Sequence, residues 1–452
     1  MTMRAWILLA LIAAVVVGGV LAWPHLEGTP PEIEAPAEVL VGSEGGTLSL
    51  VLSDAGAGLR SFELRIRHGG GGKTVVEQQF AGDHLGATGL NTQREEIEIP
   101  IQADGLGIPD GAATLVLSVR DWSWRDAGRG NRSELSIPLQ VDTVAPRIAV
   151  ESGLTYVYRG GSGAAAYRVD EASGSDGVMV GETFFRGYPM PGSAPSEGRR
   201  FALFAIPVDA PASPPVRVVA TDAAGNTSRA RFPARISERN FSNDPIRLSS
   251  RFLEDVIPDL AVSVGVDPGD RVAAFQQINS EVRARNEKQI REIVAASSDQ
   301  RLWSGAFEQL RNSKVTSRFA EHRTYVVNGK EVSQATHFGF DLASNAFAPI
   351  TASGTGVVLF AGDLGIYGNC VLIDHGLGLV TLYGHLSQLE VTAGEQVQKK
   401  QELGRSGATG LAGGDHLHFA ILVGDTYVDP LEWWDPRWVK SHVEVRLAPS
   451  AP

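Results

Sequence analysis

Cysteine is almost absent. Cys370 is the single one in 452 residues, so no intrachain disulfide can form and stability must come from packing or bound metal. Beside Val371, Leu372 and Ile373 it reads as a small buried hydrophobe. Positive charge is also in deficit. Lysine and arginine number 40 against 52 acidic residues, a net charge of -12, and no basic cluster stands out, which excludes nucleic acid as a partner. Long apolar runs are missing too, with one exception. Ala5 to Trp23 carries no charge and, at 1.5 Å per residue, is long enough to cross a hydrocarbon core of ~30 Å. The apolar region of a secretory leader is shorter, ~7–15 residues, which predicts an uncleaved signal anchor. Cleavage among the small residues near Leu21-Ala22 is the alternative. Arg4 precedes the run and Glu27, Glu32 and Glu34 follow it, so the bulk of the chain is expected outside the cytoplasm.

The length favours two to four domains. Glycine is abundant, 51 residues, and suggests many turns and short strands. Residues 1–30 are read as anchor and linker, with Pro24 to Pro36 stiff and extended. Alternating apolar positions follow at Phe62, Leu64 and Ile66, at Ile97, Ile99 and Ile101, at Leu115, Leu117 and Val119, and from Leu135 to Val141. They predict strands of five to seven residues in an immunoglobulin-like sandwich over 31–143. A second sandwich is expected over 144–238. Its Asp222 to Asn226 echoes Asp121 to Asn131, each ahead of a terminal strand, and both are read as turns and not as calcium sites. Between 239 and 313 the period becomes helical, through Val272, Phe275, Ile278, Val282, Ile290 and Val294. This stretch is read as a helical linker, with a lid as the alternative. Short strands return over 314–440 as a small all-β domain, leaving 441–452 as a tail.

Half of the ten histidines fall between positions 337 and 418. His416 and His418 stand at i and i+2, so on a strand both rings project from one face and can share a metal. His337 and Asp341 are four apart, but Gly339 between them favours a strand and turn over a helix. His385 comes from a third segment. Hydrolytic zinc takes three nitrogen or oxygen ligands and keeps a fourth position open, so these five residues are raw material for a catalytic zinc centre.

The run from Lys314 to about Trp434 resembles the lysostaphin and LytM type of zinc endopeptidases, which cut peptide cross-bridges in bacterial cell walls. The matching stretches are Thr316-Ser317-Arg318-Phe319, His337-Phe338-Gly339-Phe340-Asp341, Tyr367-Gly368-Asn369, Ile373-Asp374-His375-Gly376, Tyr383-Gly384-His385-Leu386-Ser387, and Gly407-Ala408-Thr409-Gly410 leading to His416-Leu417-His418-Phe419. The resemblance implies a mainly β chain ending in a zinc peptidase domain, with Zn2+ on His337, Asp341 and His418, and with His385 and His416 left for catalysis. It further implies peptidoglycan stem peptides as substrate. The anchor suggests a single pass through the inner membrane with the bulk in the periplasm, and in that compartment the expected scission is between D-alanine and diaminopimelate. The alternative is an inactive activator of cell-wall amidases. The sandwiches are candidates for cell-wall protein partners.

The departures from the family pattern are Asp415 where proline is usual and, expected to reshape the groove walls, Ala420 and the segment Asn345-Ala346-Phe347-Ala348. Asp415 is expected either to alter strand rigidity or to bring a carboxylate near the imidazoles. His375 is read as structural, and His25, His68, His84, His322 and His442 as surface residues. Trp433, Trp434 and Trp438 are expected to pack at a domain edge.

Overall fold

The computed structural model describes residues 3–447 except 70, 85–90 and 172–173. Residues 448–452 of the expected tail lie outside the described residues. The chain is mainly β and separates into two compact units, Met1–Ala145 with Thr221–Thr227, and Pro146–Ala220 with the rest.

The first unit opens with the helix Met3–Ala22, long and apolar enough to cross a membrane by length and composition. Then come a five-stranded sheet, in the order Val39–Val41, Arg132–Val141, Gly111–Asp121, Leu59–His68, Gly71–Gln79, and a three-stranded sheet of Glu32–Glu34, Gly46–Ser53 and Arg94–Ile101. Alternation decides which face is buried. Phe62, Leu64, Ile66, Leu115, Leu117 and Val119 from the larger sheet meet Leu48, Leu50, Leu52, Ile99 and Ile101 from the smaller in one core. Several strands reach 8–11 residues, longer than expected. The ladders continue through positions such as Arg67 and Thr114, which lack an apolar signal.

The two Asp-to-Asn tails use one device. The Asp121 carboxylate accepts from the Ser123 and Asn131 backbone amides and from Asn131 Nδ2, while Asp222 accepts from the Asn226 amide and Nδ2. Asn226 also donates to the Asp142 carbonyl and accepts from the Ser43 amide. The second tail is therefore bound into the first unit.

Of the five histidines read as superficial, only His68 is fully exposed. His25 is buried, because the short turn after the first helix stacks its ring on Trp124 and sets Nδ1 2.9 Å from the Trp122 carbonyl. His84, His322 and His442 are half-buried, His84 edge-on to Trp122 and His442 stacked on Trp438.

In the second unit, two four-stranded sheets lead into helices Ser250–Asp255, Ile257–Val264, Arg271–Gln277 and Arg283–Val294. Asp270 caps the third by accepting from the Val272 and Ala273 amides. A π-helical turn, Ile278–Val282, joins the last two. The apolar stripe Phe275, Ile278, Val282, Ile290 and Val294 is buried as its period requires. The stretch before the helices is not helical throughout. Asn243–Arg247 forms a strand parallel to Glu321–Val327, joining a sheet whose third strand is Lys330–His337.

The principal sheet has eight strands. Phe340–Ala343, Leu417–Val423, Leu379–Leu386, Asn369–Asp374 and Gly356–Asp363 run in that order, all antiparallel. Leu417–Val423 and Leu379–Leu386 are buried at every residue, which explains their continuous apolar character. Cys370 is fully buried there, and burial raises its thiol pKa far above the ordinary range. The buried Trp433 donates from Nε1 to Ser162 Oγ, so the 146–220 strands share one core with the C-terminal sheet.

Candidate metal centre

Register builds the site. Asp341 pairs across the ladder with His418, and Gly384 pairs with His418 on its other side. Three neighbouring strands thus deliver Asp341, His418 and, one residue on, His385. His337 ends the strand Lys330–His337, opposite Glu321. Gly339 is required between them. A Cβ there would stand 2.6 Å from the His418 ring and 2.7 Å from the Phe419 carbonyl, so any side chain would displace the imidazole.

His337 Nε2 lies 3.0 Å from Asp341 Oδ1 and 3.1 Å from His418 Nδ1, and these two are 3.0 Å apart. Zinc at ~2.0–2.1 Å from three tetrahedral ligands would separate them by about 3.3 Å. The triangle matches that edge closely. His337 Nδ1 donates to the Arg318 carbonyl at 2.9 Å, leaving Nε2 as the bare lone pair. His418 Nε2 is buried and has no partner among the described residues, and it carries the ring proton when Nδ1 is a ligand. Two imidazole lone pairs and a carboxylate oxygen aimed at one point fit a divalent cation of the zinc type.

The other two sequence candidates are beside this triangle. His385 and His416 have ring centroids 4.8 Å apart, and His416 Nε2 is 3.5 Å from Asp341 Oδ1. His385 Nδ1 donates to the Thr409 carbonyl at 2.8 Å, and His416 Nδ1 to the Gly414 carbonyl at 2.7 Å. His385 thus turns Nε2 toward the site, while His416 Nε2 faces the Asp341 carboxylate. His385 also sits at φ +65°, a left-handed conformation costly for a non-glycine residue and typical of functional sites. Burial first, then the neighbouring His416 and His418, pushes the His385 imidazole down to about 3. Without a metal, burial raises the Asp341 carboxyl, but a protonated His337 and imidazole N–H groups turned toward it outweigh burial and hold it well below the usual carboxylate range.

Sequence reading missed two guanidiniums in the same cavity, those of Arg323 and Arg283. Arg323 Nη2 donates to Asp341 Oδ2 at 2.9 Å. Arg323 sits in an ordinary strand and Arg283 on a helix read as a linker, so neither carried a local signal. His375 is structural, fully buried between the Thr355 carbonyl and Thr381 Oγ1. Asp415 turns away from the imidazoles. Its carboxylate accepts from Ser406 Oγ at 2.6 Å and from the Phe347 amide at 2.9 Å, so one departure from the family pattern anchors another.

Residues 335–430 match the model of Peptidase family M23. The chain is similar to the peptidoglycan DD-endopeptidase ShyB of Vibrio cholerae, 31% identical over 34% of this chain and 38% of that protein. It is also similar to ShyA of the same organism, 38% identical over 24% and 25%. Among solved structures, the catalytic domain of lysostaphin from Staphylococcus simulans is 27% identical, covering 28% of this chain and 96% of that domain with a TM-score of 0.24. The chain spans well under half the length of these two curated relatives. The match to the peptidase family is thus confined to the C-terminal part of the chain, residues 335–430.

Proposed function

We propose that this chain is a zinc endopeptidase that hydrolyses peptide cross-links of bacterial peptidoglycan, the D-alanyl to diaminopimelate bond in the first instance. The observation that carries the reading is the triangle of His337 Nε2, Asp341 Oδ1 and His418 Nδ1 with two further histidines beside it. His337, Asp341 and His418 would hold the metal. When bound, zinc supplies Lewis acidity that polarises a carbonyl and acidifies water. His385 and His416 accept and return one proton at Nε2, each fixed in its tautomer by a carbonyl at Nδ1. The names of both Vibrio relatives support the substrate. All three ligand positions are retained, which argues against the amidase-activator alternative. The Met3–Ala22 helix supports an inner-membrane anchor with the rest in the periplasm, and we read the two β units as immunoglobulin-like modules. Digestion of purified cell walls by the full chain in detergent tests the activity. Release of uncross-linked muropeptides by mass spectrometry, with about one zinc per chain, is expected. Zinc-loaded protein that releases none would overturn it.

A further inference from the structure

Arg283 lies outside the residues that match the family and follows directly on the π-helical turn Ile278–Val282. Such turns are rare and recur at functional sites. Here the turn brings Arg283 to the wall of the cavity that holds the ligand triangle. Its side chain is fixed there. Nε and Nη2 donate to Asn279 Oδ1 at 3.3 and 2.7 Å and Nε also to the Asn279 carbonyl, while Asn279 Nδ2 is tied to Ser333 Oγ and the Gln334 carbonyl. No carboxylate pairs with Arg283 among the described residues.

The second guanidinium in the cavity is also incompletely used. Arg323 engages Asp341 through Nη2, and among the described residues its buried Nε has no partner. A buried unpaired donor costs about 1–3 kcal/mol unless something enters to satisfy it. Two guanidiniums, one with no counter-ion and one with a spare donor, are an arrangement for a planar anion. The cavity of about 130 Å³ has room for roughly four waters, the space of one carboxylate and the carbon that bears it. Arg323 is in direct contact with a candidate metal ligand, and Arg283 lines the same cavity, so an anion shared by the two would lie beside the ligand triangle.

We infer that Arg283, with Arg323 beside it, binds a free carboxylate carried by the carbon that holds the leaving amine. This rests on the peptidase reading above and narrows its substrate class. The amide cleaved has its nitrogen on a carbon that itself bears a carboxylate. A D-alanyl bond to the D-centre of diaminopimelate is such an amide, whereas a bond inside a glycine bridge is not.

Two synthetic peptides with a D-alanyl-D-residue bond, one ending in the free carboxylate and one in its carboxamide, test this with the full zinc-loaded chain. The carboxylate should be preferred by about 10- to 100-fold in kcat/KM, chiefly through KM. Arg283→Gln should bring the ratio near one and Arg283→Lys leave it intermediate, with zinc content and melting temperature showing that both variants fold. A wild-type ratio near one, or a ratio that survives Arg283→Gln, overturns the inference while leaving the peptidase reading standing. Should neither peptide be cut, the peptidase reading fails instead. Calorimetric Kd values for uncleavable ketomethylene analogues of the same pair then decide the carboxylate site by the same ratio.

Discussion

Asp341 gives each of its carboxylate oxygens to a different partner. Oδ1 faces His337 and His418 at 3.0 Å, and Oδ2 accepts from Arg323 at 2.9 Å. In the proposed metal centre the arginine would thereby reserve one oxygen for the metal, as partners behind metal ligands commonly do. Asp341→Ala and His418→Ala should therefore lose zinc, read by metal analysis, together with activity. His385→Ala should keep its zinc and lose about 10²–10⁴ in kcat. Loss of metal in that last variant would overturn the division of roles. The residues brought together here were visible in the sequence, because His416-Leu417-His418 and His337 to Asp341 are short patterns fixed by strand period and one glycine. Arg323 was not, since nothing in an alternating strand marks which polar position meets a carboxylate from another strand.

The helix Arg283–Val294 is docked onto the site by polar contacts as well as by its apolar stripe. Glu287 accepts from Tyr367 OH at 2.7 Å and Tyr427 OH at 2.9 Å, and Asn286 Oδ1 accepts from the Ile366 amide at 3.0 Å. The Tyr367 ring in turn lies 5.5 Å from that of His418. Burial, then the Glu287 charge, pushes the Tyr367 phenol well above its ordinary pKa, so it remains a donor. Glu287→Ala removes the acceptor shared by two buried hydroxyls, which then have only each other at 3.2 Å, and should cost about 1–3 kcal/mol in denaturant unfolding. It should weaken zinc binding as well, whereas Glu287→Gln should cost about 1 kcal/mol. Equal effects of the two substitutions would show that the helix is held by packing alone. The apolar period announced the helix but not where it docks. These polar contacts join residues 80 to 140 positions apart, and the edge strand Asn243–Arg247 pairs with residues about 80 positions away, which no local pattern encodes.

Two separate cores in one chain predict two separable unfolding transitions, one for each unit. The second should depend on pH through Glu432, whose Oε2 accepts from the Ser162 amide and hydroxyl. Burial, against the bond from Ser162, raises its pKa from 4.5 to about 8. The folded state thus favours the protonated acid. That contribution is complete below pH 4.5 and is lost as pH rises through 8, on the order of 3–5 kcal/mol. Glu432→Gln should remove this slope from the second transition. Metal acts on the same transition by a different route. A ligand at 100 times its Kd that binds only the folded state contributes about 2.7 kcal/mol, or about 5 °C in a unit of this size. Because His337, Asp341 and His418 all belong to the second unit, removing zinc with a chelator should lower only the second transition in a calorimetric scan. Readdition of zinc should restore it, and Asp341→Ala should melt at the chelated temperature whether or not zinc is present. A shift of the first transition, or of neither, would place the metal elsewhere.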